Sequence, residues 1–258
     1  MARKFLLGLL LVILALGTAG CGSGPIAVVE APTASVDTEI DKSKYIITPD
    51  ASEPNNVPIE EDLSYVDTAY MMNLMKINGP TSSERTSYEQ YPSDWTFVLV
   101  DSRPAVRFTE SHINGAINIP DAQFEVLAWM LPEDKNKMLI FYCGGLDCHL
   151  SPSSARKAKE LGYTNVHVYQ EGITFWKEAG NYLVTTAEYV ATLIGAERIN
   201  DTGKKPFLIL DNRPYNVYFN SHIPTALSMD DKIFIEKYMA AMPVDKGAEI
   251  ITYCGGFF

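Results

Sequence analysis

The chain repeats itself. The stretch Phe97-Val98-Leu99-Val100-Asp101-Ser102-Arg103-Pro104 returns 110 positions later as Phe207-Leu208-Ile209-Leu210-Asp211-Asn212-Arg213-Pro214. At the same spacing Ser111-His112-Ile113 returns as Ser221-His222-Ile223, and Ala116 as Ala226. Tyr142-Cys143-Gly144-Gly145 returns as Tyr253-Cys254-Gly255-Gly256, one position out of step. So many residue types held in register mark a duplicated domain, because solenoid and propeller units repeat every 20–50 residues or so.

Within one unit the apolar pattern is that of an α/β fold. Residues 64–66 predict a short strand, and Asp67 caps a helix running to about residue 77. A loop rich in Ser, Thr, Gly and Pro fills 78–94. Residues 96–100 and 138–142 are continuous apolar runs, the mark of strands buried on both faces of a parallel sheet. Shorter strands are expected at 116–119 and 166–169, and helices over 121–130 and from 175. Ser151 is placed to cap a helix with Pro152 at its first position, ending at Gly162. Strands alternating with helices predict a parallel sheet covered by helices on both faces.

The N-terminus reads as an address. Arg3 and Lys4 precede an apolar run over 5–16, too short to span a bilayer but suited to the core of a secretory signal peptide. Thr18-Ala19-Gly20-Cys21 resembles a bacterial lipobox, although Thr18 stands where an aliphatic residue is usual. The expectation is a signal peptide over 1–20 and acylation at Cys21, with membrane attachment through the lipid. Residues 21–60, with Pro25, Pro32, Pro49, Pro54 and Pro58 and no sustained apolar period, read as a tether. The domains follow at 61–180 and 181–258. With 21 basic residues against 32 acidic ones, the net charge of −11 argues against a nucleic-acid partner. Four cysteines are too few for a disulfide scaffold.

The residues of the first unit resemble the rhodanese domain family. The matching pieces are Asp101-Ser102-Arg103-Pro104, Phe108, the run from Ser111 to Pro120, and Phe141-Tyr142-Cys143. They continue through Leu161-Gly162-Tyr163, Glu171-Gly172 and Trp176. The resemblance implies a sulfurtransferase in which Cys143 accepts a sulfane sulfur as a persulfide and passes it to a thiophilic acceptor, and the signal peptide makes it an extracytoplasmic one. No cofactor is implied.

Cys143 at the carboxyl end of a strand, followed by glycines and a helix start, faces backbone amides and the positive end of a helix. Both favour a thiolate or persulfide. The bland alternative is a small buried core residue. The candidate substrate loop is Gly144, Gly145, Leu146, Asp147, Cys148 and His149, where the two glycines would allow close backbone approach. The stretch from Cys143 to Gly162 is longer than is usual in rhodaneses, and longer loops occur in phosphatases and arsenate reductases. Those loops close on an arginine that grips the oxyanion. Here the first arginine is Arg156, inside the predicted helix, and Asp147 is negative. Phosphate chemistry and a dianion such as thiosulfate are both disfavoured.

Cys148 either packs the loop against the sheet, the favoured reading, or resolves an oxidised Cys143 as a thiol–disulfide partner. His149 is read as solvated rather than as a group that activates a thiol. Cys143, Cys148 and His149 are too few for a metal site. Asp101, Arg103 and His112 recur in both units and are assigned to structure, as is Trp176. The second unit has only four residues after Cys254, so it is expected to be a truncated, non-functional copy without the sheet's central strand. A non-catalytic binding or sulfur-carrier module is the alternative for the whole chain.

Overall fold

The computed structural model describes residues 59–78, 96–195 and 206–255. The expected signal peptide, Cys21, most of the tether and the loop after the first helix lie outside these residues. Among the described residues no helix is long and apolar enough to cross a membrane.

The first unit runs β1 (Ser64–Tyr65), α1 (Thr68–Asn78), β2 (Phe97–Asp101), α2 (Ala105–Glu110) and β3 (Ile117–Asn118). It continues with α3 (Phe124–Leu127), β4 (Met138–Tyr142), α4 (Leu150–Glu160), β5 (Val166–Tyr169) and α5 (Gly172–Glu178). All five strands pair in parallel in the order β1-β5-β4-β2-β3, with β4 at the centre. Alternation along the strands splits the core into two layers. Val98, Val100, Leu139, Phe141, Val166 and Val168 pack with Phe124, Ala155 and Ala158 under α3 and α4. Phe97, Leu99, Ile140 and Tyr142 face the other way, against Met71, Phe108 and Trp176 of α1, α2 and α5.

The local signals hold at α1, where the Tyr70 N–H donates to Asp67 at 2.8 Å. They fail in three places. The helix expected over 121–130 breaks into 3-10 turns, Asp121–Gln123 and Ala128–Met130, around the four residues of α3. The last helix starts at Gly172 rather than 175. α4 begins at Leu150, so Ser151 is not its cap and Pro152 is not its first residue. Pro152 is tolerated there because the first turn's N–H groups have no intrahelical partner. The last two residues of the expected tether contact the first unit. Ile59 packs on the core, the Glu60 N–H donates to the Tyr65 hydroxyl at 3.1 Å, and Glu60 pairs with Arg156.

The second unit comprises α6 (Ala187–Leu193), β6 (Phe207–Asp211), α7 (Tyr215–Asn220), β7 (Leu227–Ser228) and β8 (Glu249–Tyr253). Its three strands form a parallel sheet in the order β7-β6-β8, with β6 and β8 in the register of β2 and β4. In the first unit the strand that would follow is β5, which lies between β1 and β4. It is an inner strand but not the central one, a correction to the expectation. Among the described residues β8 pairs on one side alone, with β6, and none of its residues is buried, whereas four of the five in β4 are. Thr225 also adopts φ 70° where the first unit has Gly115 at φ 85°, a conformation costly for a β-branched residue. Expressed separately, residues 61–180 should unfold cooperatively in urea, whereas 181–258 should show no cooperative transition by circular dichroism.

His167 on β5 supplies a pH dependence. Burial lowers its pKa below the ordinary value, and its Nε2 shares a 2.8 Å hydrogen bond with the Asn165 side-chain oxygen. The unfolded chain takes up this proton near about pH 6.5, while the folded chain resists it. The contribution is therefore fully present above that pH and is lost as pH falls toward the lower folded value. Urea midpoints at pH 5 and pH 7 should differ less in His167→Gln than in the parent chain.

Candidate active site

β4 ends at Tyr142, and Cys143 follows at the carboxyl edge of the sheet, fully buried. The chain then loops through Gly144–His149 into α4. Neighbouring elements hold the loop by its carbonyls. The Ile173 N–H donates to the Cys143 oxygen at 3.1 Å, and Thr174 donates to the Gly144 oxygen from its N–H at 3.1 Å and its hydroxyl at 2.8 Å. The Gln170 side chain donates to the oxygens of Leu146 at 3.3 Å and Cys148 at 2.7 Å, while the Cys148 N–H donates to Gly145 at 3.0 Å. All described peptides are trans. A trans peptide carries its N–H opposite its C=O. The N–H groups of Gly144, Gly145, Leu146 and Asp147 therefore face away from the donors that hold these carbonyls.

Cys143 and Cys148 are disulfide-bonded, with Cα atoms 6.3 Å apart. The loop returns on itself and brings the two sulfurs together, the arrangement that the thiol–disulfide alternative for Cys148 requires. The Ser151 hydroxyl donates to Cys143 Sγ at 3.2 Å. Cys148, Leu146 and Gly144 are half-buried, Gly145 is buried, and Asp147 and His149 are exposed. His149 stands at the cap position of α4, with its carbonyl accepting from the Ser153 N–H at 3.2 Å. Arg156 lies on α4 paired with Glu60.

The glycines of the site have different surroundings. A Cβ at Gly144 would meet nothing within 4 Å, and one at Gly145 would meet the Thr174 hydroxyl at 3.1 Å. The glycine that the loop requires is Gly172. It adopts φ +56°, and a Cβ there would sit 2.3 Å from the Cys143 carbonyl oxygen. Four contributors were thus not assigned from sequence: Ser151, Gln170, Gly172 and Thr174. Their signal was position, since 170–174 follow β5, whose carboxyl end adjoins that of β4.

The residues assigned to structure lie in tight networks. Arg103 forks onto the buried Asp101 carboxylate, with Nη2 at 2.5 Å and Nε at 2.9 Å, and Nη2 also donates to the Ser111 carbonyl at 2.7 Å. The Tyr142 hydroxyl accepts from the Ile113 N–H at 3.1 Å, and burial raises its pKa well above the usual value. The second unit repeats this knot with Asp211, Arg213 and Tyr253. His112 is buried, stacks on Phe108 at 3.7 Å, and bridges to Val184. Trp176 is buried, its indole N–H donating to the Tyr182 carbonyl at 2.9 Å.

A parallel α/β domain with a cysteine at the carboxyl end of its central strand, cradled before a helix, defines the class. The rhodanese-like domain matches residues 85–179 and again 187–257, and the chain belongs to that family. An HTH-type transcriptional regulator of Mycobacterium tuberculosis, Rv0324, is 35% identical over 83 residues, 32% of this chain. The chain spans only 35% of the length of that relative. Among solved structures, the BH2092 protein of Bacillus halodurans is 25% identical with a TM-score of 0.38, covering 48% of this chain and 77% of its own. A thiosulfate sulfurtransferase from Pseudomonas aeruginosa is 19% identical with a TM-score of 0.37, covering 76% of this chain and 37% of its own.

Proposed function

We propose that the first domain is a sulfurtransferase working through Cys143. Once reduced, the Cys143 thiolate attacks the sulfane sulfur of a small donor, forms a persulfide and expels the donor's remaining fragment. A nucleophilic acceptor then attacks the outer sulfur and returns the thiolate. The observation that carries this reading is the buried Cys143 sulfur at the carboxyl end of the central strand, with the Ser151 hydroxyl donating to it at 3.2 Å and the loop that follows held by its carbonyls. A hydroxyl donating to the sulfur stabilises negative charge on a thiolate. No arginine stands in the loop, and Asp147 adds a negative charge. A singly charged donor therefore suits it better than a dianion. The test is to give reduced protein an arenethiosulfonate, remove excess donor, and add cyanide. The expected products are a sulfinate and then thiocyanate.

The site of action is proposed to be the cell envelope, facing the periplasm or exterior, with the chain anchored by lipid on Cys21. The support is the charged start, the short apolar run and the small residues before Cys21. Cys21→Ser is expected to move the protein from the membrane fraction into unprocessed or soluble forms. A mature N-terminus elsewhere, found by intact mass, counts against it.

A further inference from the structure

We propose that Cys148 is a resolving thiol that discharges the Cys143 persulfide within the loop, so that sulfur leaves as hydrogen sulfide. The inference rests on the reading of Cys143 as a persulfide-forming cysteine, and it names the product and the reductant class of that site. The first support is the disulfide itself, with Cα atoms 6.3 Å apart. That separation lies inside the range of about 4.4–6.8 Å that a disulfide requires, so the loop backbone is already set for closure. The second is that Cys148 is held in place on both sides. Its N–H donates to Gly145, and its carbonyl accepts from Gln170, which is 1% exposed and has little room to swing. The third is the difference in exposure: Cys143 is buried and Cys148 is half-open.

The chemistry balances without an oxidant. The Cys148 thiol gives up its proton and attacks Cys143 Sγ, the inner sulfur of the persulfide. A bond forms between the two cysteine sulfurs, the bond to the outer sulfur breaks, and the outer sulfur departs as HS⁻. The sulfane sulfur gains two electrons, and the two cysteines supply them. A tethered thiol acts at an effective concentration of about millimolar or more, which favours it over a dilute free acceptor. The loop is then reset by a dithiol. Its first thiolate attacks the more accessible sulfur, Cys148, so that Cys143 leaves as a thiolate beside the Ser151 hydroxyl. The second thiol closes the dithiol's own disulfide and frees Cys148. The net reaction consumes a sulfane donor and a dithiol and yields the donor's remaining fragment (a sulfinate from a thiosulfonate), sulfide and the dithiol's disulfide.

Fully reduced full-length protein, Cys148→Ser and Cys148→Ala are each given one equivalent of an arenethiosulfonate, which itself releases no sulfide. No external thiol is present, and sulfide and intact mass are read together. The parent chain should release sulfide stoichiometrically and end two hydrogens lighter than its reduced form. Both variants should gain the mass of one sulfur atom, hold it, and yield it to added cyanide. A parent chain that keeps the added sulfur and releases no sulfide overturns the inference while leaving the sulfurtransferase reading intact. If neither variant gains sulfur, Cys143 forms no persulfide, and both readings fall.

Discussion

Cys143→Ser is expected to lower sulfur transfer to background, a loss of about a thousandfold or more, as when a covalent nucleophile is removed. The fold should survive, because serine is close in size and Ser151 can still donate to the new hydroxyl. Thermal melting and circular dichroism of the variant check that point, and thiocyanate production checks the activity. The result also separates the two classes of function. A non-catalytic binding or carrier module would turn over no donor, and serine at 143 would change nothing in the assay. The phosphatase alternative predicts hydrolysis of aryl phosphates by the reduced parent chain. None is expected, since the only arginine near the loop in sequence, Arg156, is committed to Glu60 on α4.

Gly172→Ala should be strongly destabilising to the first domain. The left-handed conformation at φ +56° alone costs an L-residue about 1–2 kcal/mol. The added Cβ would also sit 2.3 Å from the Cys143 oxygen and 3.0 Å from its carbonyl carbon, both backbone atoms. Relief requires α5 to move off the loop, breaking the bonds from Ile173 and Thr174 that hold Cys143 and Gly144. A total of about 3–5 kcal/mol is expected, a large share of a domain stability of about 5–15 kcal/mol. Gly180→Ala is the control. Gly180 has φ +80° with nothing within 4 Å of a built Cβ, so only the backbone cost of about 1–2 kcal/mol applies. Urea midpoints of the two variants should differ accordingly, and equal midpoints would mean that α5 yields easily. Sulfur uptake by any folded Gly172→Ala protein should fall as well, because the cradle is hung from α5.

What was legible in the sequence is what local pattern and repetition carry. The duplication was plain, as were the buried strands β2 and β4, whose apolar runs admit no polar face. The cap at Asp67 was legible because a helix start needs only residues a few positions apart. The same reach made Cys143 and its loop stand out, since strand, cysteine and glycines are consecutive. Tertiary structure decided the rest. Ser151 looked like a cap by spacing, yet α4 begins two residues earlier, at Leu150, and the Ser151 hydroxyl is turned to Cys143. Gln170 and Gly172 lie far along the chain from the loop they hold. Only the parallel pairing of β4 with β5 brings their strand end beside Cys143. The join between Cys143 and Cys148 likewise depends on how the loop folds back, held by carbonyl bonds to another element, which no pattern of neighbours along the chain encodes.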